Sequence, residues 1–277
     1  MTGEFIVGVV GTNIGAEIAQ VAAQSGYNVI LKSRSEDSLR RAFDRISRNL
    51  LKSLNVEEKD VILSKIRGVT DYEQLKGCDI VIESIIEDLD EKKKLFTTLD
   101  GICPQKTILA TNTSSLSVGE LASVTRRADR VVGIHFFNPP TKMRLVVVVR
   151  GEKTSDKTVG FAENLVKRMD KTAVVVNDTP CFIVNRILMP YLNEAVLLLE
   201  EKTANPDEID SAAKLGLNYP MGPLALLDLI GLDVFVEIMD NLYDRTGNQK
   251  YKPANLAVRM VKEGRLGRKT KEGFYKY

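Results

Sequence analysis

Apolar residues fall in short unbroken runs through the first two thirds of this chain and at helical spacing through the last third. The first run, Phe-Ile-Val-Gly-Val-Val over 5–10, predicts a buried strand. A short glycine-containing loop follows, then helical periodicity from about Ile14 to Gln24, then a second strand at Val29-Ile30-Leu31. Such a strand–helix–strand opening predicts a parallel sheet with covering helices. The charged stretch from Ser35 to about Ile66 predicts a helical hairpin, its first arm carrying Arg40, Arg41, Arg45, Arg48 and Lys52. By itself that basic row is a solvated helix face. Further strands are predicted at 79–83, 107–110, 130–135 and 145–149, and an edge strand at 172–176. Beyond Pro180 the strands stop, and helical periodicity covers roughly 180–200, 206–216, 222–246 and 254–264. A sheet followed by helices alone is a change of architecture. It sets a boundary near 177–185 and divides the chain into an α/β domain, 1–180, and a helical domain, 181–277.

Composition narrows the partners. The chain has 277 residues, 44% hydrophobic and 27% charged, as expected of a globular protein of one large or two ordinary domains. A net charge of +2 is too mild to point to nucleic acid or a membrane surface. No apolar run approaches the roughly 18 residues that span a bilayer, and Met1-Thr2-Gly3-Glu4 shows no signal-peptide architecture. Cys78, Cys103 and Cys181 are odd in number and widely spaced, so neither a disulfide framework nor a metal site is expected. These features together predict a cytoplasmic protein.

The single histidine, His135, ends an apolar run and leads into Phe136-Phe137-Asn138-Pro139-Pro140. A strand that delivers an imidazole to a loop suits a group that takes and returns a proton near neutral pH. Gly11-Thr12-Asn13-Ile14-Gly15 joins the first strand to the first helix. Such a turn holds a dinucleotide pyrophosphate in folds that carry G-x-G-x-x-G there. Here it is one residue short and lacks the middle glycine. The second strand ends in Lys32-Ser33-Arg34-Ser35, without the carboxylate that accepts ribose hydroxyls. Ser33, Arg34 and Ser35 suit a 2′-phosphate instead, which favours NADP(H) over NAD(H). The plainer alternative is a polar turn with Ser35 capping the next helix.

Six segments, in order, give the chain a resemblance to the short-chain L-3-hydroxyacyl-CoA dehydrogenases, including bacterial 3-hydroxybutyryl-CoA dehydrogenases. They are Val81-Ile-Glu-Ser-Ile-Ile-Glu87, Asn112-Thr-Ser-Ser-Leu116, Gly133-Ile-His-Phe-Phe-Asn-Pro139, Asp178-Thr-Pro-Cys-Phe-Ile-Val-Asn-Arg186, Tyr219-Pro-Met-Gly-Pro223 and Lys269-Thr-Lys-Glu-Gly-Phe-Tyr275. The resemblance runs from about Val7 to Tyr277. It implies a Rossmann-type, mostly parallel sheet followed by an all-helical C-terminal domain, with a homodimer formed through the latter. It also implies interconversion of a 3-hydroxyacyl-CoA and a 3-ketoacyl-CoA by hydride transfer with NAD(P)(H). By the same resemblance His135 is the base, Ser114 hydrogen-bonds the reacting oxygen and Asn185 binds substrate. Glu87, Lys92, Asn138 and Lys269 join the glycine loop as cofactor contacts. Each has a plainer reading: Ser114 as a helix cap, Asn185 as a helix-interior amide, Glu87 and Lys92 as solvated charges.

Departures from the family pattern bear on activity. The family's strand after the histidine reads Leu-Val-Glu-Val-Val, and its glutamate orients the imidazole. This chain has Leu145-Val146-Val147-Val148-Val149, with Val147 in the glutamate's place. The histidine loses an acceptor and a compensating charge. Glu17, near the first helix's start, is expected to repel phosphates. Cys181 and Lys271 replace glycines. A dehydrogenase, weakened by Val147, is the leading reading. A catalytically silent binding or structural protein on the same scaffold is the alternative, and an enzyme of free hydroxy acids the third.

Overall fold

Eight strands form one sheet in the order β3-β2-β1-β4-β5-β6-β7-β8 in a computed structural model that describes residues 5–277. Residues 1–4, where the reading of the N-terminus falls, lie outside the described residues. The strands are β1 (Ile6–Val10), β2 (Asn28–Lys32), β3 (Ile66–Val69), β4 (Ile80–Glu83), β5 (Ile108–Thr111), β6 (Val131–Phe136), β7 (Leu145–Arg150) and β8 (Thr172–Asn177). Every neighbouring pair is parallel except β6 and β7. Helices α1 (Ile14–Gln24), α2 (Glu36–Leu50), α3 (Val56–Ser64), α4 (Leu89–Ile102), α5 (Val118–Ala122) and α6 (Asp156–Arg168) connect them. The order β3-β2-β1-β4-β5-β6 is that of a dinucleotide-binding sheet. Its strand order reverses between β1 and β4, so a crevice opens beyond their carboxyl ends.

Local chemistry sets these elements. Ser35 caps α2 through the Ser38 amide, Glu36 and Asp37 fill its first turn, and Leu39, Ala42, Ile46 and Leu50 turn inward at helical spacing. Asn55 and Glu58 make a reciprocal capping box at α3. Asp88 caps α4 through the Glu91 amide. The buried core joins Val7, Val9, Leu31, Ile80, Ile82, Ile134, Val146 and Val148 of the strands to Ile18 and Ala22 of α1.

The chain divides into two compact units, one ending at Thr179 and one running from Pro180 to Tyr277. The second unit is helical: α7 (Val184–Glu200), α8 (Pro206–Gly216), α9 (Pro223–Ile230), α10 (Leu232–Thr246) and α11 (Asn255–Lys262). Its carboxylates tie down the chain's end. Asp228, 1% exposed, accepts from the amides of Phe274 and Tyr275 at 2.9 Å each, and Asp210 accepts from the Tyr275 hydroxyl at 2.9 Å.

Three elements differ from the sequence expectation. The strand β3 was not anticipated; its four residues, Ile-Arg-Gly-Val, follow a helix directly and carry no alternating signal. The helix expected over 222–246 is two, parted at Gly231. The helix expected from 180 begins at Val184, because Cys181 and Phe182 both take left-handed backbone with φ 55°.

Candidate active site

At the carboxyl ends of the strands the first unit opens a groove of about 600 Å³. Gly11, Thr12, Asn13 and Ile14 line it after β1, Ser33 and Arg34 after β2, and Ser84 and Glu87 after β4. Asn112 and Ser114 join from beyond β5, and His135 from the end of β6. One wall therefore gathers the glycine turn, the β2 turn, the serine and the histidine that the sequence singled out.

Gly11 is required by geometry. Its φ is +112°, and a Cβ there would stand 2.2 Å from the Ser84 carbonyl oxygen. The turn then enters α1, whose N-cap Asn13 makes no side-chain capping hydrogen bond. The first amides of α1 thus lack a side-chain acceptor and form the kind of helix start that holds phosphate. Lys32, Arg34, Arg41 and Arg45 also line the groove. A groove that joins an uncapped helix start to four cationic side chains fits a dinucleotide.

The reaction end is held by an amide and a carboxylate. Asn112 accepts from the Phe136 amide at 2.8 Å and donates to the Ser84 hydroxyl at 3.2 Å, tying together the ends of β4, β5 and β6. Glu87 Oε1 accepts from the Ser114 amide at 2.9 Å and from the Thr113 hydroxyl at 2.5 Å. Behind it Lys92, 1% exposed, places Nζ 2.5 Å from Glu83 and 3.3 Å from Glu87. Burial pushes the Glu87 carboxyl up, but the Lys92 ammonium and the hydrogen bonds from Thr113, Ser114 and Ser115 outweigh it and hold it below the usual range. Glu87 is therefore a fixed negative charge at neutral pH.

His135 pairs in register with Val147 across the antiparallel β6–β7 ladder, so the two side chains share a face. Val147 is fully buried. Burial pushes the imidazole pKa down to about 4, against the opposing pull of Glu87. Its ring packs on Phe137 with centroids 4.5 Å apart.

Other expectations come out differently. Ser114 is not a helix cap; Ser117 caps α5. Lys92, read as a cofactor contact, is buried behind Glu87 and does not line the groove, and Gly15 and the exposed Asn138 do not line it either. Gly15 instead packs α1 on its sheet, a Cβ there falling 3.3 Å from Val9. Glu17 stands in the first turn of α1 without lining the groove, and its carboxylate accepts from the Thr141 hydroxyl at 3.2 Å. In the second unit, Asn185 stands in the first turn of α7 and Lys269 pairs with Asp233.

Several lining residues carried no assigned role in the sequence reading: Lys32, Arg41, Arg45, Tyr72, Ser84 and Asn112. Lys32 stands over the Tyr72 ring at 3.3 Å from its centroid. Arg41 and Arg45 lie four residues apart on one face of α2, and that spacing was the available signal.

Comparison with known proteins agrees with this geometry. The model of the 3-hydroxyacyl-CoA dehydrogenase NAD-binding domain matches residues 6–179, and that of the family's C-terminal domain matches 182–277. The chain is 46% identical to 3-hydroxybutyryl-CoA dehydrogenase of Clostridioides difficile over 269 residues, 95% of this chain and 96% of that one. It is 41% identical to the mitochondrial hydroxyacyl-coenzyme A dehydrogenase of Homo sapiens, covering 96% and 89%. The crystal structure of (S)-3-hydroxybutyryl-CoA dehydrogenase from Ralstonia eutropha superposes with a TM-score of 0.97 at 43% identity, covering 99% of both chains. The chain belongs to the 3-hydroxyacyl-CoA dehydrogenase family.

Proposed function

We propose that this protein interconverts 3-hydroxybutyryl-CoA and acetoacetyl-CoA, with NADP(H) preferred to NAD(H). The observation that carries the reading is the convergence of His135, Ser114 and the Gly11–Ile14 turn on one groove. When bound, the nicotinamide supplies the hydride acceptor or donor. The chain's own part is proton handling and orientation. In the oxidation the His135 imidazole takes the proton of the C3 hydroxyl, and the Ser114 hydroxyl hydrogen-bonds the same oxygen. In the reduction the protonated His135 gives that proton back to the oxygen, and Ser114 again hydrogen-bonds it. Asn185 on α7 is the proposed substrate amide, and Asn138 and Lys269 remain proposed cofactor contacts.

Preference for NADP(H) rests on the β2 turn. Ser33 lies in the groove wall and exposed Arg34 follows it. A homodimer through residues 181–277 is supported by apolar side chains exposed in the second unit, Leu215 at 86% and Ile187 at 68%.

Val147 favours a second reading, an enzyme slow in reduction or silent. At pH 7 a group titrating at about 4 is protonated on the order of one part in a thousand. The proton that reduction needs is therefore scarce.

The test is acetoacetyl-CoA reduction followed at 340 nm with NADPH and NADH in parallel, from pH 8 to 5. Turnover that rises as pH falls, and is faster with NADPH, is expected. Faster turnover with NADH removes the cofactor preference and keeps the enzyme. No turnover in folded protein that still binds dinucleotide establishes the silent scaffold.

A further inference from the structure

We propose that Arg45 is a positioning residue for the pyrophosphate: it braces the shortened glycine turn from outside and adds positive charge beside it. This rests on the reading of the groove as a dinucleotide site and names how this chain meets the diphosphate without the full glycine pattern. The geometry is direct. Arg45 Nη1 donates to the Asn13 carbonyl at 2.9 Å and to the Thr12 carbonyl at 3.5 Å, across more than thirty residues of sequence. Arg40 and Arg41, on the same helix, pair with Asp37 instead. Arg45 also lines the groove with Thr12, Asn13 and Ile14.

A trans peptide carries its N–H opposite its carbonyl. Fixing the carbonyls of Thr12 and Asn13 therefore fixes the amides of Asn13 and Ile14, where α1 begins. A turn that is one residue short and lacks its middle glycine has fewer amides to aim and a less yielding backbone. An external donor that sets the peptide planes restores orientation, and its guanidinium charge adds to the positive end of the helix. The apolar side of α2 makes this placement possible. Leu39, Ala42 and Ile46 seat the helix on the core and leave position 45 on the flank beside the turn.

The experiment compares Arg45→Met, which keeps an unbranched stem, and Arg45→Lys, which keeps a charged donor, with the wild-type chain. NADH binding is read by fluorescence titration, and ADP-ribose and adenosine by competition. Expected is about a tenfold loss for NADH and ADP-ribose in Arg45→Met, adenosine unchanged, and most of the affinity kept in Arg45→Lys. Affinity within twofold of wild type in Arg45→Met overturns the proposal, as does equal weakening for adenosine or an Arg45→Lys as weak as Arg45→Met. A wild-type chain that binds neither NADH nor NADPH overturns the dinucleotide reading itself, and this proposal with it.

Discussion

Across β6 and β7 the imidazole of His135 meets an isopropyl group, and burial holds its pKa near 4. Glu87 is the acid that opposes this, anchored by Lys92 and the Ser114 amide. A carboxylate beside an imidazole favours the protonated form and raises its pKa. Val147→Glu is therefore expected to move the acidic limb of the oxidation profile upward by about 1–3 pH units and to raise kcat for reduction at pH 7 more than it changes KM. Glu87→Gln is expected to move the same limb downward. Profiles of kcat/KM between pH 3 and 8 check both, and coincident limbs in the wild type and Glu87→Gln would remove Glu87 as the partner. The histidine and the valine were both legible in the sequence, because each sits inside a motif. The bonding of Glu87 to Thr113, Ser114 and Ser115 was not, since it spans more than twenty residues and depends on β4 and β5 lying side by side.

At the scale of elements, the β1–α1 turn decides whether the groove forms. Gly11→Ala forces a Cβ against the Ser84 carbonyl in left-handed backbone, which costs about 1–3 kcal/mol. Urea unfolding is expected to show that loss, and NADH titration a matching loss of affinity. Unchanged stability would mean that the turn relaxes freely. The turn and most strands were legible because buried parallel strands read as apolar runs. The strand β3 was not, being four residues long with an exposed arginine second. The division at Gly231 was hidden too, because α9 and α10 are amphipathic on both sides of it. The basic face of α2 was visible, but its use was not. A guanidinium that reaches backbone carbonyls leaves the same sequence trace as one that reaches water.

For the whole molecule, the exposed apolar side chains of the second unit make association the expected state. Light scattering should return twice the 30.8 kDa chain mass. Leu215→Glu, at a side chain 86% exposed, is expected to leave folding intact and halve that mass. A variant that stays at the wild-type mass would place the contact elsewhere. A different constraint follows from the Glu83–Lys92 pair, both members almost wholly out of solvent. Losing Lys92 leaves the buried Glu83 carboxylate uncompensated, at about 3–5 kcal/mol, whereas losing Glu83 still leaves Lys92 with Glu87 3.3 Å away. For a domain of ordinary stability that loss falls on folding rather than on chemistry, so selection on the folded state alone acts to retain Lys92. A lineage that had abandoned catalysis would still be held at Lys92 by folding, whereas drift at His135 would record the loss of chemistry.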